Sequence, residues 1–178
     1  AWLDQTLAEN DSPWVVCTFH HPIFSTGNNR DNPALRAAWK PILDKHQVDL
    51  VLQGHDHTYG RTGLDTPWAA HPTIDNVPTG VTNVDRQTGT VYVVSVSGPK
   101  MYDLTPQESM VRTAENTQLY QIIHIDGEVL RYEARTAIGE LYDAFELRKR
   151  PGQINELVEG LPETAEKRGL PAESPTSR

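Results

Sequence analysis

Cysteine is nearly missing from this chain: a single residue, Cys17, stands among 178. That excludes an internal disulfide and a Cys-x-x-Cys zinc site. Flanked by Val16 and Thr18 in an apolar run, Cys17 reads as core packing. Long hydrophobic runs are also missing, since no uninterrupted apolar stretch approaches the roughly 20 residues a membrane helix requires. Positive charge is scarce, with 16 Lys and Arg against 24 Asp and Glu. The resulting net charge of −8 argues against a nucleic-acid-binding surface, which needs clustered cations. Neither a Walker loop nor a Gly-x-Gly-x-x-Gly sequence occurs. Ser95-Val96-Ser97-Gly98 lacks the glycine spacing of a nucleophile elbow, which leaves serine hydrolase chemistry with little support.

What the chain does have is histidine at strand ends. Leu50-Val51-Leu52-Gln53 is an apolar run that stops at Gly54 and leads into His55-Asp56-His57. The glycine lets the backbone turn without a Cβ clash, so the two alternating imidazoles can converge. A second pair, His20-His21, closes the apolar run Trp14 to Phe19, so four of the seven histidines sit at two strand ends. An imidazole at a sheet edge can simply be solvated or bonded to a carbonyl. Two pairs, each directly following a β-rich run, point instead to metal ligation, because open α/β sheets place their chemistry beyond the carboxyl ends of strands.

Between the two runs the sequence predicts a helix, with Asn32 as N-cap and Pro33 at its first position. Leu35, Ala38, Trp39, Ile42, Leu43 and His46 recur at helical spacing and form one face, on which His46 is a packing residue. Pro41 removes a backbone donor and should bend or reset the helix near its middle. A helix joining two strands whose ends share an edge is a parallel crossover. Residues 58–88 are rich in Gly and Pro and read as a long excursion in which His71 is an exposed loop residue. Thr90 to Val96 is a further strand. Leu119 to Ile125 and Glu128 to Arg135 flank Asp126-Gly127, a favoured two-residue hairpin turn, and Leu141 to Leu147 is another strand. Beyond residue 147 the composition becomes polar, and Ile154, Leu157, Val158 and Leu161 suggest a short docking helix within a tail of residues 148–178 that is otherwise mobile. The basic run 148–150 reads as a solvated strand end.

The segment His20-His21-Pro22-Ile23-Phe24-Ser25, followed after a helix by Gly54-His55-Asp56-His57-Thr58-Tyr59, resembles the last two motifs of the calcineurin-like metallophosphoesterases. The His-x-Pro and Gly-His-x-His order, with Tyr59 two residues on, is most similar to the purple acid phosphatase branch. The resemblance implies an α/β fold, part of a two-sheet α/β/β/α sandwich with mixed parallel and antiparallel strands. It implies His20 and His55 as ligands of one metal ion and His57 as a ligand of a second. The ions would be divalent or mixed-valence transition metals, Fe, Mn or Zn. Arg30 lies about where plant-type relatives carry a phosphate-contacting histidine, and a guanidinium suits that task through paired hydrogen bonds. His21, in the variable position before the proline, is expected on the substrate side as a catalytic acid near the leaving group. Tyr59 and Arg61 are expected to orient ligands or substrate, with ordinary loop packing as the alternative.

A complete member of that family carries three earlier motifs with the remaining ligands, and none is here. No Gly-Asp dipeptide occurs in the sequence. Asp44-Lys45-His46 fits an Asp-x-His string but lies late in a helix, where residues two apart face different ways. Residues 1–147 are therefore expected to be the carboxyl-terminal half of a catalytic domain, with an amino-terminal half as partner. The expected function is phosphoester hydrolysis at a dinuclear centre. Two alternatives are a non-catalytic module of the same fold and a mononuclear zinc domain. The resemblance leans toward a secreted or periplasmic location.

Overall fold

The computed structural model describes residues 2–64, 89–105 and 109–168. Elements run in the order α1 (Trp2–Ala8), β1 (Val16–Phe19), α2 (Pro33–Lys45), β2 (Leu50–Gln53), β3 (Tyr59–Thr62), β4 (Val91–Val94) and β5 (Met110–Ala114). They continue with β6 (Leu119–Asp126), β7 (Val129–Thr136), β8 (Leu141–Arg148) and β9 (Glu156–Glu159). The strands form a five-stranded sheet ordered β1-β2-β4-β3-β5 and a four-stranded sheet ordered β6-β7-β8-β9. In the first, β1, β2 and β4 are parallel and β3 runs antiparallel between β4 and β5. The second is antiparallel throughout. This is the mixed two-sheet α/β sandwich that the resemblance implies.

The period of two along a strand explains the layers. On β2, Leu50 and Leu52 face the second sheet, where they join Tyr59, Val91, Val93, Leu130, Tyr132, Phe145 and Leu147 in the main core. Val51 faces the other way and packs with Tyr92, Leu43, Leu35 and Trp39, together with Leu3 and Leu7 of α1. Both described helices therefore cover the outer face of the five-stranded sheet. None of the described helices is long and apolar enough to cross a membrane.

The crossover helix forms as its sequence dictates. Asn32 caps it by accepting a hydrogen bond from the Leu35 amide at 3.0 Å, and Pro33 occupies its start. The helix carries on through Pro41 to Lys45 rather than resetting there. His46, at its carboxyl end, bonds to Asp4 of α1 at 2.7 Å, which ties the two helices together.

Four expectations need correction. Residues 59–62 form a buried strand, not the start of a loop, and residues 65–88 of that excursion, with His71, lie outside the described residues. Residues 156–159 form strand β9, not a docking helix, because β8 offers an open edge whose ladder satisfies their backbone groups. Residues 164–167 are likewise held: Arg112 donates to the Thr164 carbonyl at 2.5 Å, and Glu166 accepts from the Thr113 amide at 2.8 Å. Lys149 is not simply solvated, since its ammonium pairs with the buried carboxylate of Asp49. That carboxylate also accepts from the Val15 amide at 2.8 Å and from the Asn155 side chain at 2.6 Å, joining the two sheets.

Candidate metal centre

Because β1 and β2 are parallel and in register from Val16↔Leu50 to Phe19↔Gln53, their carboxyl ends lie side by side. The ladder extends one residue further, where the Gly54 amide donates to the His20 carbonyl at 3.0 Å. His55 then takes a left-handed backbone, φ 66°, which is costly for a residue with a Cβ. That turn throws the His55 ring toward β1, and its Nδ1 comes within 3.1 Å of His20 Nε2.

His21 joins them. Its ring centroid lies 4.4 Å from that of His55 and 5.0 Å from that of His20. One nitrogen from each of His20, His21 and His55 falls within a 4.8 Å cluster. Burial, then the neighbouring Arg30 cation, hold the His55 imidazole below its ordinary pKa, which favours the neutral, ligating form. Three imidazole nitrogen donors suit a borderline transition metal and not calcium or magnesium, which take oxygen ligands. The donor set therefore fits the metals the resemblance implies.

His57 is placed apart from this cluster. Its Nδ1 bonds to the Lys100 carbonyl at 2.7 Å, and its ring stacks on Tyr102 at 4.4 Å. A carbonyl only accepts, so Nδ1 is the donor in this contact and Nε2 is the nitrogen left to ligate, the arrangement found in metal-binding histidines. Lys100 and Tyr102, given no role by sequence, thus support His57. Arg30 lies close by. Its Nε donates to Asp56 at 3.0 Å, another nitrogen donates to the His55 carbonyl at 3.2 Å, and its guanidinium lies 4.8 Å from the Tyr102 ring centre.

Sequence reasoning missed Asp56. It is fully buried, turned away from the imidazoles, and accepts from Ser25 Oγ and from the Thr26 and Gly27 amides as well as from Arg30. One carboxylate thereby staples the loop after His-x-Pro to the turn carrying both motif histidines. The available signal was an acidic residue between the histidines and a Ser-Thr-Gly run after the first motif.

Tyr59 is not at the cluster, which corrects its expected contact with substrate. Strand alternation sends Tyr59 and Arg61 together toward the second sheet. Tyr59 donates to Asp143 at 2.7 Å, and Arg61 clamps the same carboxylate at 2.7 and 3.0 Å and Glu159 at 2.8 Å.

Comparison with known proteins bears on the family and the fold. Residues 1–59 match the family model described as calcineurin-like phosphoesterase. An uncharacterized Mycobacterium tuberculosis protein is 34% identical over 110 residues, covering 54% of this chain and 20% of its own length. The acid phosphatase of Aspergillus ficuum is 38% identical over 77 residues, covering 42% of this chain and 12% of its own length. Purple acid phosphatase 21 of Arabidopsis thaliana is 37% identical over 65 residues, with 34% and 15% covered. Among solved structures, the purple acid phosphatase PPD1 of yellow lupin seeds superposes with a TM-score of 0.63 at 19% identity, over 84% of this chain and 28% of its own. GAP50, the anchor in the inner membrane complex of Plasmodium, gives 0.62 at 15% identity, over 99% of this chain and 51% of its own. These matches bear out the resemblance: residues 1–59 are similar in sequence to the calcineurin-like phosphoesterases, and the chain is similar in fold to a purple acid phosphatase. It spans a fifth or less of the length of those curated relatives.

Proposed function

We propose that this chain supplies the histidine side of a dinuclear, metal-dependent phosphoester hydrolase whose remaining ligands come from an amino-terminal half of the same catalytic domain. The observation that carries this reading is the meeting of His20 and His55, 35 residues apart, at 3.1 Å beyond two parallel strands. His57, whose Nδ1 is engaged by the Lys100 carbonyl and whose Nε2 is left to ligate, is assigned to the second ion. When bound, the ions would polarise a phosphoester and activate water.

The chain's own residues have distinct tasks in this reading. His20 and His55 hold one ion. The Lys100 carbonyl fixes the His57 tautomer, and Asp56 holds the turn between them. Arg30, a quarter exposed, stands beside the cluster to meet a phosphate oxygen. The amino-terminal half would continue the first sheet beyond β1, whose outer edge borders an open, largely apolar groove of about 660 Å³ lined by Trp2, Leu7, Trp14, Phe19 and Trp39. By the same likeness, a secreted or periplasmic location is favoured.

One observation favours a second reading, a non-catalytic module of this fold. The carboxylate between the motif histidines in sequence, Asp56, is committed to the loop and not offered to an ion. The two are separated by joining this chain to its upstream sequence and assaying p-nitrophenyl phosphate hydrolysis and metal content. Two ions per molecule and turnover lost in His55→Ala and His57→Ala support the hydrolase. Turnover unchanged by both substitutions removes it.

A further inference from the structure

Two adjacent residues of an extended strand point to opposite faces, so His20 and His21 could not serve one ion if β1 continued through them. It does not: β1 ends at Phe19, and the chain turns at both histidines. Pro22 and the fully buried Ile23 draw the following backbone into the protein, and the Gln53 side chain donates to the His21 carbonyl at 3.4 Å. The side chains of His20 and His21 are left exposed, with their rings near-perpendicular at 89°, and His55 stands against both.

We propose that His21 is a third protein ligand of the ion that His20 and His55 hold, so that this chain by itself forms a three-imidazole site for one divalent transition-metal ion. The proposal rests on the reading that His20 and His55 share an ion. It replaces the acid role expected for His21, and it adds a ligand that the family resemblance does not supply. Nitrogen ligands about 2.0–2.1 Å from a tetrahedral ion lie about 3.3 Å apart. The His20–His55 pair already meets that spacing at 3.1 Å, and the 4.8 Å span of the cluster brings His21 within a side-chain adjustment of it. Three protein ligands leave a fourth position toward solvent, the pattern of a site that exchanges ligands and not of a closed structural one.

The test uses the 178-residue chain alone, with Zn(II) followed by calorimetry and Cu(II) followed by pulsed electron paramagnetic resonance, which counts coordinated imidazoles. The expected result is one ion and three imidazoles in the wild type. His21→Ala should show two imidazoles and bind Zn(II) at least about tenfold more weakly, since even indirect losses around a metal cost about 10–100-fold. His124→Ala, on the exposed face of β6, should bind as the wild type does. Because His21 is exposed, its replacement should leave the melting temperature of the metal-free chain unchanged, and the imidazole count in the wild type requires no variant at all. Two imidazoles in the wild type, or equal Zn(II) affinity in His21→Ala, overturns the proposal. If His20→Ala and His55→Ala still abolish binding in that case, the hydrolase reading stands without it. A wild-type chain that takes up no ion also overturns the proposal, while the hydrolase reading is decided separately by the metal content of the extended chain.

Discussion

Asp56 lies between the two motif histidines in sequence, yet its carboxylate faces inward and accepts the Ser25 hydroxyl at 2.5 Å. The same oxygen receives the Thr26 and Gly27 amides at 3.0 and 3.1 Å. Asn in its place could offer one oxygen to these three donors, but its NH2 would then face the Arg30 Nε–H that donates to the other Asp56 oxygen at 3.0 Å. We expect Asp56→Asn to cost about 1–3 kcal/mol. It should also weaken metal uptake at His55, because the turn loses its anchor. Urea denaturation and Zn(II) titration check both; a variant as stable as the wild type would show that the staple is dispensable.

Arg61 and Asp143 are both wholly inaccessible and join the two sheets. Removing the cation leaves two carboxylates, Asp143 and the partly exposed Glu159, without their partner. Arg61→Met should therefore destabilise by about 3–5 kcal/mol, the range for breaking a buried pair from one side. The double change Arg61→Met with Asp143→Leu should recover much of that loss. If the double variant is no more stable than the single one, packing and not the stranded charge sets the cost.

Gly60 admits no side chain. A Cβ there would stand 2.3 Å from Thr26 Cγ2 and 3.2 Å from Met110 Sδ. Thr26 is rigid, fully buried, and bonded through its hydroxyl to Thr58 at 2.6 Å, so it has little room to yield. Gly60→Ala should cost about 1–3 kcal/mol by overpacking. Thermal unfolding reads the effect, and an unchanged midpoint would contradict it.

Asp4 joins α1 to the end of α2. Hydrogen bonds from Lys45 and then His46 hold its pKa down at about 2, against an ordinary value of 3.8. A depressed carboxylate stabilises the folded state fully above 3.8 and loses that contribution as pH falls through about 2. Asp4→Asn should thus melt below the wild type at pH 5, and the gap should close as pH falls from 4 toward 2. A gap constant across that range would show that the contact is not electrostatic.

The parts of the site that sequence revealed were those carried by local pattern. Asn32 and Pro33 announced the crossover helix, the apolar runs before His20 and Gly54 announced two strands, and the helix between them required those strands to be parallel. From that, His20 and His55 had to meet. Strands β3 and β9 escaped notice for opposite reasons. Gly and an inward-facing Arg interrupt the hydrophobic pattern of Tyr59-Gly60-Arg61-Thr62, and Glu156 to Glu159 is short and acid-flanked. Each is a strand because a neighbouring edge supplies its ladder, which is a non-local cause.

The amino-acid sequence alone determined where imidazoles would gather, since those at the ends of two apolar runs are set by composition, spacing and the backbone freedom of Gly54. Only the tertiary structure decided which way each side chain turned. It placed His21 with the cluster, committed Asp56 to the loop, and buried Tyr59 and Arg61 between the sheets. Those outcomes depend on which surfaces the neighbouring elements cover, and burial of that kind arises from contacts between residues far apart in sequence.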